Sequence, residues 1–176
     1  MEHRKSLATL LITAALVGSV KLYEAYSPIA YIPIPNDKIT IGFGSTERTN
    51  GEPIKLGEKI DRKTADAYLM HDIDKFKVGM SKCIEAPLYQ HEFDSYLSLV
   101  YNIGVAGFCN SSIPIKLNTG NYDAACRTIL QFNKVKDYSK PRIVLPSGKV
   151  VWQYKVVRGL NNRRKSEYAT CTGGSQ

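Results

Sequence analysis

Residues 24–45 read Glu-Ala-Tyr-Ser-Pro-Ile-Ala-Tyr-Ile-Pro-Ile-Pro-Asn-Asp-Lys-Ile-Thr-Ile-Gly-Phe-Gly-Ser. Glu24 stands before a loop interrupted by prolines, and Asp37 and Thr40 come just before or within a β-type Thr-Ile-Gly-Phe-Gly run. Two acids and a hydroxyl suit glycoside cleavage, in which one carboxylic acid protonates the leaving oxygen and the other carboxylate activates water. Each residue also has an ordinary structural interpretation: Glu24 as a helix-end acid, Asp37 as a turn residue and Thr40 as a strand residue.

At these residues the chain resembles the phage-type lysozymes, glycoside hydrolase family 24. In that pattern a Glu that ends a helix is followed by eight residues, an Asp, five residues and a Thr that opens Thr-(Ile/Val)-Gly-(Tyr/Phe)-Gly. Glu24 matches the Glu and Thr40 matches the Thr. The Asp would fall near Pro33, whereas the only Asp of this loop is Asp37, with twelve residues between it and Glu24. The resemblance implies Glu24 as general acid, Asp37 as the group that activates or holds water, and Thr40 as a group that orients that water.

Three further stretches carry the same resemblance: Tyr-Asn-Ile-Gly-Val-Ala-Gly-Phe at 101–108, Leu-Asn-Thr-Gly-Asn-Tyr-Asp-Ala-Ala-Cys at 117–126, and Gly-Leu-Asn-Asn-Arg-Arg-Lys-Ser-Glu at 159–167. The family implies a lysozyme-like α+β fold, with a small β-sheet lobe and a helical lobe joined by a long helix. It also implies inverting hydrolysis of peptidoglycan, at the β-1,4 bond between N-acetylmuramic acid and N-acetylglucosamine, without metal or organic cofactor. In this interpretation Arg163 and Arg164 are mainly structural or electrostatic.

Apolar spacing places the main helices and one hairpin. Asp61 is expected to cap a helix that runs to about Lys82, because apolar residues recur there at three- and four-residue steps. A second helix is expected over 89–103, with Gly104 as its stop. Residues 142–154 read as a hairpin that contains the only tryptophan, Trp152. A core or surface role for Trp152 is favoured over stacking on a sugar ring.

The composition narrows the classes of partner. A chain of 176 residues is long enough for one domain with a real core or two small lobes sharing a helix. Its net charge of +8 indicates an anionic partner. No zinc-finger spacing, basic region with heptads or ribonucleoprotein motif is present, so nucleic acid is not expected and wall or membrane surfaces remain.

The N-terminus predicts an export segment. His3, Arg4 and Lys5 precede an uncharged run over residues 6–20, which is the charge order of a segment whose positive end stays in the cytoplasm. The run is shorter than the roughly 20 residues of a comfortable membrane span and lacks a good cleavage site. We therefore expect residues 1–21 to be an uncleaved signal-anchor helix and residues 22–176 to be the catalytic domain. A cleaved signal peptide and a buried first helix are the alternatives.

This segment resembles the signal-anchor-release segments of certain endolysins, which hold the enzyme inactive at the host inner membrane before it passes to the periplasm. Glu24 lies three residues beyond Lys21, so a membrane-held helix would keep the acid near the lipid headgroups. Tethering through residues 6–20 and catalysis are therefore expected to exclude each other.

Four widely spaced cysteines suggest two disulfides. Their spacing lacks a Cys-x-x-Cys pair, which argues against a zinc or thioredoxin-type site. Three pairings are possible, and the favoured one joins Cys83 to Cys109 and Cys126 to Cys171, since the latter two lie on predicted helices of one lobe. Four buried thiols are the alternative.

The sequence thus predicts a monomeric endolysin of a phage or prophage that acts on peptidoglycan. Two rival functions remain. A lytic transglycosylase on the same fold needs one acid/base and no water-activating Asp, and the displaced Asp37 is compatible with it. A basic, membrane-anchored protein that binds the envelope without catalysis is the more distant rival.

Overall fold

The computed structural model describes residues 3–33 and 37–174. The predicted β-lobe is present. Strand β1 (Ser27–Tyr31) pairs antiparallel with β2 (Thr40–Gly42), so that Ser27 lies opposite Gly42 and Tyr31 opposite Thr40. A small apolar cluster fills this lobe, made of Ala30, Ile41, Ile54 and Tyr68. Pro35 and Asn36, in the loop that departs from the family spacing, lie outside the described residues.

The long connecting helix is confirmed as α2 (Arg62–Met80). Asp61 caps it as predicted, because its Oδ1 accepts a hydrogen bond of 2.8 Å from the backbone N–H of Thr64. Tyr68 faces the β-lobe cluster, whereas Leu69 and Ile73 are buried in the larger core of the helical lobe. One helix therefore belongs to both cores and joins the lobes.

The helical lobe contains the α-helices that follow α2. They are α3 (Gln90–Cys109), α4 (Ile113–Asn118), α5 (Tyr122–Thr128) and α6 (Arg158–Cys171). The prediction that Gly104 ends the second helix is wrong in part. Gly104 breaks the helix with φ 75° and ψ 160°, a conformation open to glycine, but the chain re-enters the helix at once and continues to Cys109.

The N-terminal segment packs into the helical lobe. A 3-10 turn (Leu7–Thr9) is followed by extended residues and then α1 (Ala14–Tyr23). Its apolar side chains Leu7, Leu10, Leu16 and Val20 are buried in the main core. The expected continuous anchor helix over residues 6–20 is therefore not found, because the segment bends at residues 10–13 to bury these side chains. No helix in the described part of the chain has the length and apolarity to cross a bilayer.

Polar contacts fasten this segment to α3. The guanidinium of Arg4 pairs with Glu92 at 2.8 Å. Thr13 caps α1 by accepting from the backbone N–H of Leu16 at 3.0 Å, and its hydroxyl donates to Asp94 at 2.7 Å. The segment is thus positioned by specific hydrogen bonds as well as by apolar burial.

The predicted hairpin is present and longer than expected. Strand β3 (Lys134–Lys136) pairs with β6 (Tyr154–Val156), and β4 (Ile143–Val144) pairs with β5 (Val150–Val151). Together they form a two-stranded ribbon between α5 and α6.

Both favoured disulfides are confirmed. Cys83–Cys109 ties the end of α2 to the end of α3, and Cys126–Cys171 ties α5 to α6, each with a Cα–Cα distance of 5.7 Å.

Neighbouring leucines of the N-terminal segment test whether it belongs to the core. Leu10 is 1% exposed and Leu11 is 71% exposed. Leu10→Ala is expected to lower the free energy of unfolding by about 2–5 kcal/mol, because it leaves a cavity. Leu11→Ala is expected to change it by no more than about 0.5 kcal/mol. Denaturant unfolding of the purified chain measures both, and equal effects would show that the segment is not packed in the native state.

Candidate active site

Glu24 lies at the junction of the two lobes. It is the C-cap of α1, where its backbone N–H still donates to the carbonyl of Val20 at 2.9 Å. Its side chain is 25% exposed, and Oε1 accepts a hydrogen bond of 2.7 Å from Arg163 Nη1. A Cβ placed on Gly44 would lie 4.0 Å from Oε2. The second carboxylate oxygen therefore lies next to Gly44, whose backbone is exposed.

Arg163 is held rigidly on its other sides. Its side chain is only 4% exposed. Nε donates to Glu167 Oε1 at 3.1 Å, and Nη2 donates to the backbone carbonyl of Ser98 at 3.2 Å. The hydroxyl of Ser98 donates to the same Glu167 oxygen at 2.8 Å. The guanidinium thus reaches Glu24 in an orientation fixed by α3 and α6.

Arg164 lies behind this group and is fully buried. Its Nη2 donates to Glu167 Oε1 at 3.1 Å, and its Nε lies 2.9 Å from Oε2. The second contact has ion-pair distance without hydrogen-bond geometry. Burial lowers the pKa of Arg164 to about 10 and raises the pKa of Glu167, in each case because burial disfavours the charged form. Arg164 still carries its charge at neutral pH.

The turn beneath Glu24 is supported by residues that the sequence analysis missed. Tyr101, the first residue of the 101–108 stretch, donates its hydroxyl to the carbonyl of Phe43 at 3.0 Å. Burial raises the pKa of Tyr101, so that this hydroxyl keeps its proton. On the other side of Gly44, buried Ser45 donates to Asp72 Oδ2 at 2.6 Å. Burial also raises the pKa of Asp72.

Thr40 and Asp37 lie farther along the β-lobe. Thr40 opens β2, and its hydroxyl donates to the carbonyl of Lys38 at 3.1 Å. Glu24 lies beside Gly44, in the turn that follows β2, whereas Thr40 lies at the other end of that strand. Asp37 is exposed, and its Oδ1 accepts from the backbone N–H of Lys38 at 2.8 Å. Among the described residues, no hydrogen bond connects Asp37 or Thr40 with Glu24.

The structure therefore gathers only part of the predicted site. It joins Glu24 to Arg163, a residue for which the sequence predicted a mainly structural or electrostatic role. The i, i+4 spacing of Arg163 and Glu167 was the available signal, since it puts both on one face of a helix. Within residues 3–33 and 37–174, no group of three or more acidic, histidine or cysteine side chains is arranged to hold a metal ion.

Comparison with known proteins gives a consistent result. A family model described as phage lysozyme matches residues 21–167. An endolysin of Acyrthosiphon pisum secondary endosymbiont phage 1 is 32% identical over 150 residues, which are 85% of this chain and 90% of that protein. A solved endolysin from Escherichia coli O157:H7 phage FAHEc1 is 30% identical with a TM-score of 0.72, covering 93% of this chain and 94% of that one. The muramidase domain of SpmX from Asticaccaulis excentricus, at 22% identity, shares the fold with a TM-score of 0.75 over 92% of this chain and 97% of that one.

Substitution of Arg163 tests the buried ion-pair group. Arg163→Gln is expected to lower the free energy of unfolding by about 3–5 kcal/mol, because it takes one of two cationic partners from the buried Glu167, which keeps Arg164 and the Ser98 hydroxyl. Arg158 is the matched control, since it lies exposed at the start of the same helix. Arg158→Gln should change stability by about 0.5 kcal/mol or less. Denaturant titration distinguishes the two, and a stable Arg163→Gln protein would contradict the role given to this group.

Proposed function

The chain belongs to the phage lysozyme family, and on that premise we propose that it is an endolysin that hydrolyses bacterial peptidoglycan and lyses the host cell. The chain is a glycosidase. The bond proposed for cleavage is the β-1,4 linkage between N-acetylmuramic acid and N-acetylglucosamine. The relatives support this assignment by name, as endolysins and a muramidase domain.

The observation that carries the proposal is the setting of Glu24. One of its oxygens is fixed by Arg163, and the other lies next to the exposed Gly44. A carboxylic acid that protonates a leaving glycosidic oxygen must come within hydrogen-bond reach of it, and the second oxygen of Glu24 lies on the side from which a substrate can approach. Glu24 is therefore proposed as the general acid.

Asp37 is proposed to activate or hold the attacking water, and Thr40 to orient it. Asp37 Oδ1 binds its own loop, and within the described residues Oδ2 accepts no hydrogen bond at this exposed position. The Thr40 hydroxyl uses its proton on Lys38, so its oxygen is left to accept a hydrogen bond from water. An inverting mechanism places a water between the sugar and a carboxylate distant from the acid. This chemistry uses two carboxylates and water, and it needs no metal or organic cofactor.

A transglycosylase on the same fold is the second candidate. It is favoured by one observation, which is that Asp37 hydrogen-bonds its own loop and not the group around Glu24. A single acid/base at Glu24 would suffice for that reaction.

We further propose that residues 6–20 hold the chain at the inner membrane before release to the periplasm, where it acts as a monomer. The uncharged run after Arg4 and Lys5 supports this proposal. Leu10, Leu16 and Val20 fill the core in the folded enzyme, so they would have to leave the bilayer before the site forms. Cell fractionation before lysis should find the chain with the membranes, and purely soluble periplasmic chain would contradict the tether.

Glu24→Gln tests the proposed acid. The substitution keeps the size of the side chain and removes the transferable proton, so wall hydrolysis should fall by roughly 10²–10⁴-fold or more. Release of dye from labelled wall sacculi measures the rate, and circular dichroism verifies the fold. A folded Glu24→Gln protein with full activity would show that Glu24 is not the general acid.

A pair of aspartates tests the second carboxylate. Asp37→Asn should lower wall hydrolysis by roughly 10²–10⁴-fold, because the amide cannot take a proton from water. Asp61→Asn is the matched control, since an asparagine keeps the cap of α2 and should leave the rate within about twofold. The same dye-release assay compares them. Equal rates for the two variants would show that Asp37 has only a structural role in its loop.

A further inference from the structure

The ribbon formed by residues 134–156 concentrates the positive charge of the chain. It carries six lysine or arginine side chains and one acid, Asp137, which gives it +5 of the total +8. Asp137 does not offset these charges at the surface, because it is buried and accepts hydrogen bonds from the backbone N–H and hydroxyl of Ser139 at 3.2 and 2.6 Å. Of the six cationic groups, Lys155 forms an ion pair with it at 3.6 Å, and Lys140 is also close. The ribbon therefore presents a strongly cationic surface.

The strand register distributes apolar and cationic residues along the ribbon. Each pair at its base joins one lysine to one apolar residue: Lys134–Val156, Val135–Lys155 and Lys136–Tyr154. Both pairs near its tip are apolar: Ile143–Val151 and Val144–Val150. Directly opposed residues lie on the same face, so both faces of the base are mixed and both faces of the tip are apolar.

Many of these apolar side chains are open to solvent. Val144 is 67% exposed, Val150 is 50% exposed and Val156 is 58% exposed. Ile143 and Leu145 are also exposed at the tip. The polar Ser147 and Lys149 occupy the turn itself, so the apolar residues are suited to a shallow contact and not to deep insertion.

Trp152 lies between the tip and the base. Its ring makes an edge contact with Tyr138 at 5.1 Å between centroids. The cationic groups of Arg142 and Lys136 lie 5.2 and 5.6 Å from its ring centre. The order along the ribbon is thus aliphatic, then aromatic, then lysine-rich. The same order occurs across a membrane interface, from acyl chains through the aromatic zone to the headgroups.

From these observations we propose that the ribbon binds the surface of a bilayer that contains anionic phospholipids. The cations alone would fit any polyanion, including nucleic acid or wall polymer. The exposed valines and isoleucine are not suited to a carbohydrate or phosphate partner, whereas a lipid surface accommodates both their apolar area and the lysine charges. Binding at this site is separate from the N-terminal segment, which is packed in the core.

The ribbon is linked to the proposed active site through α6. At its base the backbone N–H of Val157 donates to the carbonyl of Asn133 at 3.0 Å, and Asn133 donates to Asn161 of α6 at 3.0 Å. The same helix carries Arg163. Lipid binding by the ribbon would therefore hold the folded enzyme at a membrane surface, with its catalytic lobes still outside the bilayer.

The experiment is a vesicle titration of the full chain, followed by the fluorescence of Trp152, the only tryptophan. Vesicles of phosphatidylglycerol and phosphatidylcholine should shift the emission to the blue, and vesicles of phosphatidylcholine alone should bind much more weakly. Lys134→Gln with Lys136→Gln should weaken binding by about fivefold per lysine. Val144→Ser with Val150→Ser should weaken it by about tenfold.

Matched variants outside the ribbon provide the controls. Lys59→Gln with Lys63→Gln removes two exposed lysines, and Ile115→Ser removes an exposed apolar residue of α4; both should leave the titration unchanged. Glu24→Gln should also leave it unchanged, which separates this proposal from the catalytic one. Vesicle binding without a change in Trp152 emission, as from insertion of the N-terminal segment, would overturn the proposal. A Trp152 response to soluble wall fragments but not to vesicles would overturn it too.

Discussion

The ion pair between Glu24 and Arg163 is the interaction on which the site and much of the helical lobe depend. Arg163 is nearly buried, and a buried guanidinium must keep its partners because an unpaired charge is costly to bury. Those partners come from three places in the chain: Glu24 at the end of α1, the Ser98 carbonyl in α3, and Glu167 in α6. The helices that position Glu24, the proposed acid, therefore also supply the partners that the buried charge of Arg163 needs in the folded protein.

Because of this ion pair, docking of the N-terminal segment also helps to assemble the active site. Because Glu24 is the C-cap of α1, its carboxylate reaches Arg163 only when α1 is docked. Docking depends on the burial of Leu16 and Val20 and on the hydrogen bonds of Thr13 with α3. A chain in which residues 6–20 occupy any other environment would leave Arg163 without Glu24. The position of the segment and the assembly of the site are thus coupled by geometry.

Local patterns in the sequence predicted the features that depend on local physics. Asp61 and the apolar spacing after it gave α2, and the turn residues between Arg142 and Tyr154 gave the hairpin. Features that depend on tertiary contacts were less accessible. Hydropathy made residues 6–20 look like one membrane helix, since the same apolar residues suit a bilayer and a protein core equally well.

The residues of the candidate site also divide into those that local sequence patterns predicted and those that depend on tertiary contacts. Glu24 stood out because of the motif around it, but its partner lies 139 residues away, and the packing of both α1 and α6 on α3 brings Arg163 to it. Gly104 stood out as a helix stop, yet the helix resumes after it, and Val105 and Phe108 beyond the break pack in the core of the helical lobe. Asp37 was expected in the site from its position before Thr40, whereas in the folded chain it is exposed and accepts a hydrogen bond from its own loop.

The central claim is that the site around Glu24 cleaves glycan strands with water. The most direct test is mass spectrometry of the sugar fragments that the full chain releases from purified peptidoglycan in water enriched in oxygen-18. Hydrolysis predicts fragments with ordinary reducing ends that carry the heavy oxygen, because water supplies the new hydroxyl group. Fragments one water lighter, with an anhydro sugar end and no label, would contradict hydrolysis and establish a transglycosylase.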